Sequence, residues 1–388
     1  MAQPKIMKND RLSLLPDTIL IHIISFLPIK SAVITSVLSH QWRYLWTHIT
    51  NVVFTPTCLP SRRYNSSAPL IFPKLPFPKV NSFYLCLSRD FYDFSNAESW
   101  IRDLCTRNPE QIVVESNLPT NISTSTCFFQ CQSLVVLMLT KNIFIRPPAG
   151  GFVVNLPKLK KLQLSGYWDD ALATIIRGCP LLEDLNLVIT SHGNCYMFVH
   201  LLDLSAHYIK KLVIIRAYDY NVIPTYQLVV NLSKLEEMTL HIPFGLANIR
   251  FVGYSSALIS AEFRFPKKIN FGKEINYLSR IAGLAQLISE VRSLKIDNYA
   301  LEAVCSLENE VVLGMYYGYC EIPSCGWSWN DVVLLLQCCP SLEVLKVEIS
   351  RYLTKRDALE HWPSCCSPCW SRLKRIKIRY ISESDADF

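Results

Sequence analysis

The chain has 388 residues, 50% of them hydrophobic and 18% charged, with a formal net charge of +7. So much apolar surface excludes disorder over most of the length. The length exceeds the roughly 100–200 residues of one domain, so two modules, or one module and an elongated array, are expected. No apolar run reaches the roughly 18 residues of a membrane helix. The longest, Ile19–Leu27 and Val332–Leu336, are interrupted or flanked by polar residues, and no membrane association is expected.

Residues 1–9 lack the apolar stretch of a secretory signal and read as a disordered N-terminus. A cytoplasmic or nuclear location, or both, is expected. The 15 cysteines fit this, being odd in number and not spaced as a small disulfide scaffold. Most are expected to be reduced and buried as small hydrophobes. Sequons at Asn65, Asn121 and Asn231 then read as accidental.

Residues 10–50 read as three short helices. Pro16 suits a first helical position, with Asp17 in the first turn. Ile19, Leu20, Ile23, Ile24 and Leu27 recur at helical spacing, and Pro28 ends the segment. A second segment carries Ala32, Val33, Ser36 and Val37 on one side. A third carries Trp42, Leu45 and Trp46. Residues 51–80 hold Pro56, Pro60, Pro69, Pro73, Pro76 and Pro78 and read as a linker or irregular entry segment.

A repeat occupies residues 81–325. An apolar residue, two variable ones, an apolar residue, one variable and another apolar residue recur. The copies are Leu134-Leu137-Leu139, Leu159-Leu162-Leu164, Leu182-Leu185-Leu187, Ile209-Leu212-Ile214 and Leu235-Met238-Leu240. Weaker copies follow at Leu258-Ala261-Phe263, Val291-Leu294-Ile296 and Val312-Met315-Tyr317, and into residues 326–388 at Leu342-Leu345-Val347 and Leu373-Ile376-Ile378. The early steps of 25, 23, 27, 26 and 23 residues match a leucine-rich repeat. Two copies share a lead-in, Cys179-Pro180-Leu181-Leu182-Glu183 and Cys339-Pro340-Ser341-Leu342-Glu343.

The predicted fold class is therefore α/β. Three N-terminal helices precede an irregular leucine-rich-repeat solenoid, with a curved sheet on the concave face and helices or loops outside. Strand side chains alternate, so residues beside the buried LxL pairs face outward. That puts Val136, Met138, Thr140, Ser165, Val188, Val213, Ile215, Thr239, Ser293 and Val344 on the open face. The candidates for holding a target protein there are Lys161, Gln163, Asp184, Asn186, Lys211, Glu237, His241, Lys295, Asp297, Lys346 and Glu348.

The N-terminal string runs Asp10-Arg11-Leu12-Ser13-Leu14-Leu15-Pro16-Asp17, then Ile19 to Pro28, then Ala32 to Ser39, then Trp42-Arg43-Tyr44-Leu45-Trp46. It resembles the F-box of plant F-box proteins across nearly all of that motif. One departure is His40-Gln41, where that family has two basic residues. The resemblance implies docking to the Skp-type adaptor of a cullin–RING ubiquitin ligase. Three short helices also cannot bury this much apolar surface among themselves, and a leftover patch marks a partner surface. The adaptor-binding candidates are Leu15, Pro16, Ile19, Leu20, Ile23, Ile24, Val33, Val37, Leu38, Trp42 and Leu45. Residues from Trp327-Ser328-Trp329-Asn330 through Leu342-Glu343, with Pro368-Cys369-Trp370 before Leu373, are similar to the FBD region of plant F-box/FBD/LRR proteins. The chain ends at Phe388, where an FBD would continue, so a truncated FBD is expected.

No Gly-rich phosphate loop, HExxH or GxSxG occurs, so no enzyme and no cofactor are expected. Cys365, Cys366, Cys369 and His361 lack a matching second pair for zinc, and no metal is expected. The basic stripe Arg372, Lys374, Arg375, Lys377 and Arg379 reads as a solvated face, not a nucleic-acid site. The expected function is that of a substrate receptor in an SCF-type ligase. The alternatives are a receptor of the same class that needs a small molecule to hold its target, and an interaction scaffold that works outside any ligase or is inactive.

Overall fold

A short helix that starts at proline needs no N–H there, and both α-helices of the N-terminal segment use this. In the computed structural model, α1 spans Asp17–Ile24 and α2 spans Ile29–Ile34, with Pro16 and Pro28 as their N-caps. Pro16 thus stands one position before the first helical residue, and Pro28 opens α2 instead of merely ending α1. Structure is described for residues 12, 14–55, 79–87, 101–117, 122–124, 126–145, 152–166, 170–189, 200–216, 226–241, 247–253, 257–264, 293–297, 344–350 and 374–381. The chain divides into two units, Met1–Ser165 with Arg177–Pro180, and Gly166–Ile176 with Leu181–Phe388.

In the first unit, α2 runs into a 3₁₀ turn at Thr35–Val37, and the third helical segment, Gln41–His48, is also 3₁₀. Three residues per turn eclipse positions i and i+3. Trp42 and Leu45 therefore share one buried side, while Trp46 is half-buried. Strand β1, Asn51–Phe54, follows almost at once, so the expected linker begins inside the sheet. Residues 56–78, with all the prolines of that segment, lie outside the described residues.

Strands β2 (Ser82–Leu87), β3 (Gln111–Ser116), β5 (Val136–Ile145) and β6 (Lys161–Gly166) continue from β1 in a parallel sheet of order β1-β2-β3-β5-β6, with β4 (Ile122–Thr124) beside β5. Two apolar ladders cross it in register. One is Val52, Phe83, Ile112, Leu137 and Leu162; the other is Phe54, Leu85, Val114, Leu139 and Leu164. All ten are buried. Behind them lie Ile101 and Leu104 of a helical stretch at 101–105, and Phe128 and Phe129 of a 3₁₀ turn, Thr126–Gln130. Strand β5 carries a register shift between Leu139 and Phe144, around Lys141 at φ 63°. It pairs Phe144 with Ser165, which is buried and not on the open face as its alternation predicts.

In the second unit, α3 (Asp170–Arg177) precedes β7 (Asp184–Ile189), β9 (Lys211–Arg216), β11 (Glu237–His241), β13 (Ser260–Arg264), β14 (Ser293–Asp297), β15 (Val344–Ser350) and β16 (Arg375–Ile381), all parallel in that order. The predicted LxL positions form its ladders: Leu185, Leu212, Met238, Ala261, Leu294, Leu345 and Ile376, then Leu187, Ile214, Leu240, Phe263, Ile296, Val347 and Ile378. Strand β14 pairs directly with β15; the Val312-Met315-Tyr317 copy lies outside the described residues.

The outer layer of this unit departs from the expected helices or loops. Strands β8 (His200–Leu204), β10 (Tyr226–Asn231) and β12 (Ala247–Val252) form a second parallel sheet. Leu202, Leu204, Leu228 and Val230 alternate inward and are buried, a period-2 pattern that a helix could not bury on one side. Asn231 ties the turn after β10 to the one after β8. Its Nδ2 donates to the Ser205 carbonyl at 2.9 Å, and its Oδ1 accepts from the Ser233 N–H at 3.0 Å and hydroxyl at 2.8 Å. Each part is thus a stack in which a repeat buries its apolar face only against its neighbours.

Candidate adaptor-docking face and open sheet surface

The N-terminal helices split their apolar residues sharply. Leu20, Ile24, Ile29, Ala32, Trp42, Leu45 and Ile49 are buried and hold the helices together. Most large apolar side chains that the described residues leave exposed also lie here: Leu12, Leu14, Ile19, Ile23, Phe26, Ile34, Val37, Leu38 and Tyr44, against Val153, Leu181, Leu201, Tyr208 and Ile259 elsewhere. Of the predicted adaptor-binding residues, Pro16, Ile19, Ile23, Val37 and Leu38 are exposed, Leu15 and Val33 are half-buried, and Leu20, Ile24, Trp42 and Leu45 are interior. Ile19, Ile23 and Phe26 stand four and three residues apart, on one side of the α1 turn and its continuation. Phe26, 75% exposed, was missed by sequence reasoning although its spacing from Ile19 and Ile23 signals it. Its ring meets His22 edge-on, centroids 4.9 Å apart.

The His40-Gln41 departure has a structural role. Gln41 Nε2 donates to Asp17 Oδ1 at 2.8 Å and reaches the Leu15 carbonyl at 3.4 Å, tying the third helical segment to the start of α1.

On the first unit's sheet, Lys161 and Gln163 are half-buried at open-face positions. A polar cluster that the sequence did not single out stands near the ends of β2, β3 and β5. The Tyr84 hydroxyl donates to Glu115. Lys141 Nζ lies 3.3 Å from Glu115 Oε2 and donates to Asn117 Oδ1 at 2.7 Å. Burial acts to raise the Glu115 carboxyl, but the Tyr84 and Lys141 donors outweigh it and hold the group below its ordinary range. Burial, then the hydrogen bond to Glu115 and its charge, pushes the Tyr84 phenol up.

On the second unit, register places Asp184, Lys211 and Glu237 in one row. Lys211 Nζ lies 2.6 Å from Glu237 Oε2, and this bond, ahead of the Asp184 charge, raises the ammonium above its ordinary value. His241 Nε2 stands 3.0 Å from Glu262 Oε1 on the next strand. Asn186 shares the following row with Val213, Thr239, Glu262, Lys295 and Lys346. Asp297 and Glu348 are paired in register one row on. The predicted polar residues therefore lie in ordered rows, and several are engaged with one another.

A family model described as F-box domain matches residues 12–52, and one described as the LRR repeats of FBD-associated F-box protein At5g56370 matches residues 97–250. By these two matches the chain is similar to the plant F-box/FBD/LRR-repeat proteins over its N-terminal segment and part of its repeat array. It is 30% identical to FBD-associated F-box protein At4g10400 of Arabidopsis thaliana, over 61% of this chain and 62% of that one. It is 31% identical to F-box protein At4g09920 of the same plant, over 49% of this chain and 62% of that one. F-box/FBD/LRR-repeat protein At3g52680, also from Arabidopsis thaliana, is 26% identical over 97% of this chain and 78% of its own length. The chain thus spans about three fifths of the length of the first two relatives. The segment expected to hold a truncated FBD lies outside the described residues apart from β15 and the stretch 374–381. Among the described residues, no cluster of metal-ligating side chains occurs and no helix is long and apolar enough to cross a membrane.

Proposed function

We propose that this F-box/LRR protein is the substrate-receptor subunit of an SCF-type cullin–RING ubiquitin ligase. Its F-box binds the Skp-type adaptor, and its repeat sheet binds the protein to be modified. The carrying observation is the row of exposed aliphatic and aromatic side chains on helices whose own core is already filled: Ile19, Ile23, Phe26, Val37 and Leu38. Exposed apolar surface at this density favours a partner. Chemistry then resides in other subunits, and this chain contributes proximity, raising the effective concentration of target lysines near the charged ubiquitin carrier. This reading places the protein in the cytoplasm, the nucleus or both.

The test is co-purification of the full chain with a Skp-type adaptor and a cullin. Ile19→Asp with Val37→Asp is expected to abolish adaptor capture and leave the melting temperature within a few degrees of wild type, because both side chains face solvent. Capture that survives the double change would refute this docking face. Capture of the adaptor without cullin would favour a scaffold outside the ligase.

A further inference from the structure

Three cysteines converge behind the first unit's sheet. Cys105 ends the helical stretch 101–105, Cys127 lies in the 3₁₀ turn Thr126–Gln130, and Cys131 follows that turn. The Cys105 and Cys127 sulfurs are 3.8 Å apart. Cys131 Sγ lies 3.8 Å from the Cys105 carbonyl oxygen, and its side chain also interacts with the Cys105 thiol. None of the three is in a disulfide. Cys105 and Cys127 are half-buried and Cys131 is buried.

Their environments differ. The Cys105 thiol first, with the backbone N–H groups of Ser133 and Leu134, outweighs burial, which acts to raise the Cys131 thiol, and holds that thiol below its ordinary range. The Ser133 hydroxyl stands 3.4 Å from the same sulfur, but donates its single proton to the Pro109 carbonyl at 2.7 Å, so it contributes less. Cys105, as the donor in this arrangement, keeps its proton and is shifted upward, by its contacts with Cys127 and Cys131 first and burial after them. One thiolate with a neighbouring thiol that touches a third is the arrangement of an oxidation site with its own resolving partners.

We propose that Cys105, Cys127 and Cys131 form a two-electron oxidation site for a hydroperoxide, whose stable product is a Cys105–Cys127 disulfide between the outer segments of two successive repeats. The Cys131 thiolate attacks the peroxide: an S–O bond forms, the O–O bond breaks, and the alcohol or water leaves with a proton. Cys105 then attacks the Cys131 sulfur, forming an S–S bond, and the sulfenic oxygen leaves as water. Altogether one thiolate, one thiol, one hydroperoxide and one proton give a disulfide, an alcohol and water. Cys127, already beside the Cys105 sulfur, gives up its proton to solvent and attacks the Cys105 sulfur of this bond, and Cys131 departs as thiolate. The direction of exchange follows from chemistry, since the thiol of lower pKa is the better leaving group. The sulfurs, 3.8 Å apart, must close to the roughly 2.05 Å of a disulfide. In a reducing compartment such bonds are transient and serve redox sensing. The bridge would close a loop across a sequence separation of 22 residues and add a covalent clamp to two repeats already joined by their strand ladder.

The experiment uses the reduced full chain, treated with hydrogen peroxide near neutral pH, quenched with catalase and capped with N-ethylmaleimide. Peptides are mapped by mass spectrometry without reductant. The expected product is a Cys105–Cys127 cross-link with Cys131 carrying the cap, and a melting temperature that rises on oxidation and returns on reduction. Cys127→Ser should stop the sequence at a Cys105–Cys131 bond, and Cys131→Ser should slow cross-linking at least about tenfold, the scale of losing the thiolate. Full capping of Cys105 and Cys127 after peroxide would overturn the proposal. So would a cross-link formed only in guanidinium, a wild-type product that stays at Cys105–Cys131, or a metal ion retained by the three thiols in native mass spectrometry.

Discussion

Ile19 and Leu20 are neighbours in sequence with opposite surroundings, which makes them a direct test of the docking face. Ile19 is 46% exposed and Leu20 is 0% exposed. Full burial of an aliphatic side chain is worth about 1.5–3 kcal/mol. With 46% of Ile19 left to cover, adaptor docking gains about 1 kcal/mol from it, roughly a fivefold change in Kd. Ile19→Ala should therefore weaken adaptor binding about fivefold while shifting chain stability by well under 1 kcal/mol, as a surface change does. Leu20→Ala instead empties part of the helical core and should cost about 2–5 kcal/mol. Urea unfolding of the chain alone gives the stability, and calorimetric titration with the Skp-type adaptor gives the affinity. The reasoning is refuted if Ile19→Ala destabilises as much as Leu20→Ala, or if adaptor affinity is unchanged by it.

Gly178→Ala should cost about 1–3 kcal/mol in urea, because its Cβ would stand 2.4 Å from Val154 Cγ1 and 2.8 Å from the Val154 carbonyl oxygen, and the backbone cannot yield as a side chain can. Asn231→Ala removes one donor and one doubly used acceptor from the turns of the second sheet and should cost about 1–2 kcal/mol by the same assay. Asp203 accepts hydrogen bonds from Ser205, first the side chain and then the N–H at 2.8 Å, which lowers its pKa in the fold. A lowered folded pKa stabilises above the unfolded value near about 3.9, and that stabilisation is lost as pH falls through the folded value. Asp203→Ala should thus be less stable than wild type at pH 7, by no more than about 0.5 kcal/mol for so exposed a group, with the difference vanishing on acidification in a pH series of urea midpoints.

The leucine spacing made the sheet of each unit legible because the same residues that define the motif form its ladders: Leu137 and Leu162 in the first unit, and Leu185, Leu212 and Met238 in the second, are buried at matching register positions within their unit. The first three rungs escaped, since Val52, Phe83 and Ile112 do the same work without leucine, and a pattern keyed to one residue type passes over them. The outer strands escaped for a different reason. Short alternating runs such as 226–231 are readable as strands, but nothing in one repeat says which layer they join. In the N-terminal segment the string of residues identified the helices, yet not which side of each is free. Leu20 and Ile19 are equally apolar, and it takes the packing of α1 against the Gln41–His48 segment to separate a buried Leu20 from an exposed Ile19. The bulge at Lys141, which buries Ser165 and gathers Glu115 and Asn117, depends on backbone conformation that composition does not encode.

The join between F-box and sheet bears on how such a receptor would work. Only Ile49 and Thr50 separate the 3₁₀ segment Gln41–His48 from β1, and Ile49 is buried. Helix α2 packs against β1, and Phe54 of β1 meets Phe83 of β2 with ring centroids 5.9 Å apart. The helical core and the first rungs are therefore continuous. A stack of repeats needs a distinct end piece, because its terminal strand would otherwise present unpaired backbone and bare apolar side chains. In the first unit the F-box occupies that position beside β1. The same residues that cap the sheet also fix the direction in which Ile19, Ile23 and Val37 are presented. An adaptor seated there would be held at a set orientation to the first rungs, with little slack, and the reach of a ligase toward a bound target depends on that rigidity: a stiff connection keeps effective concentration high only where the geometry suits, while a flexible one would spread it.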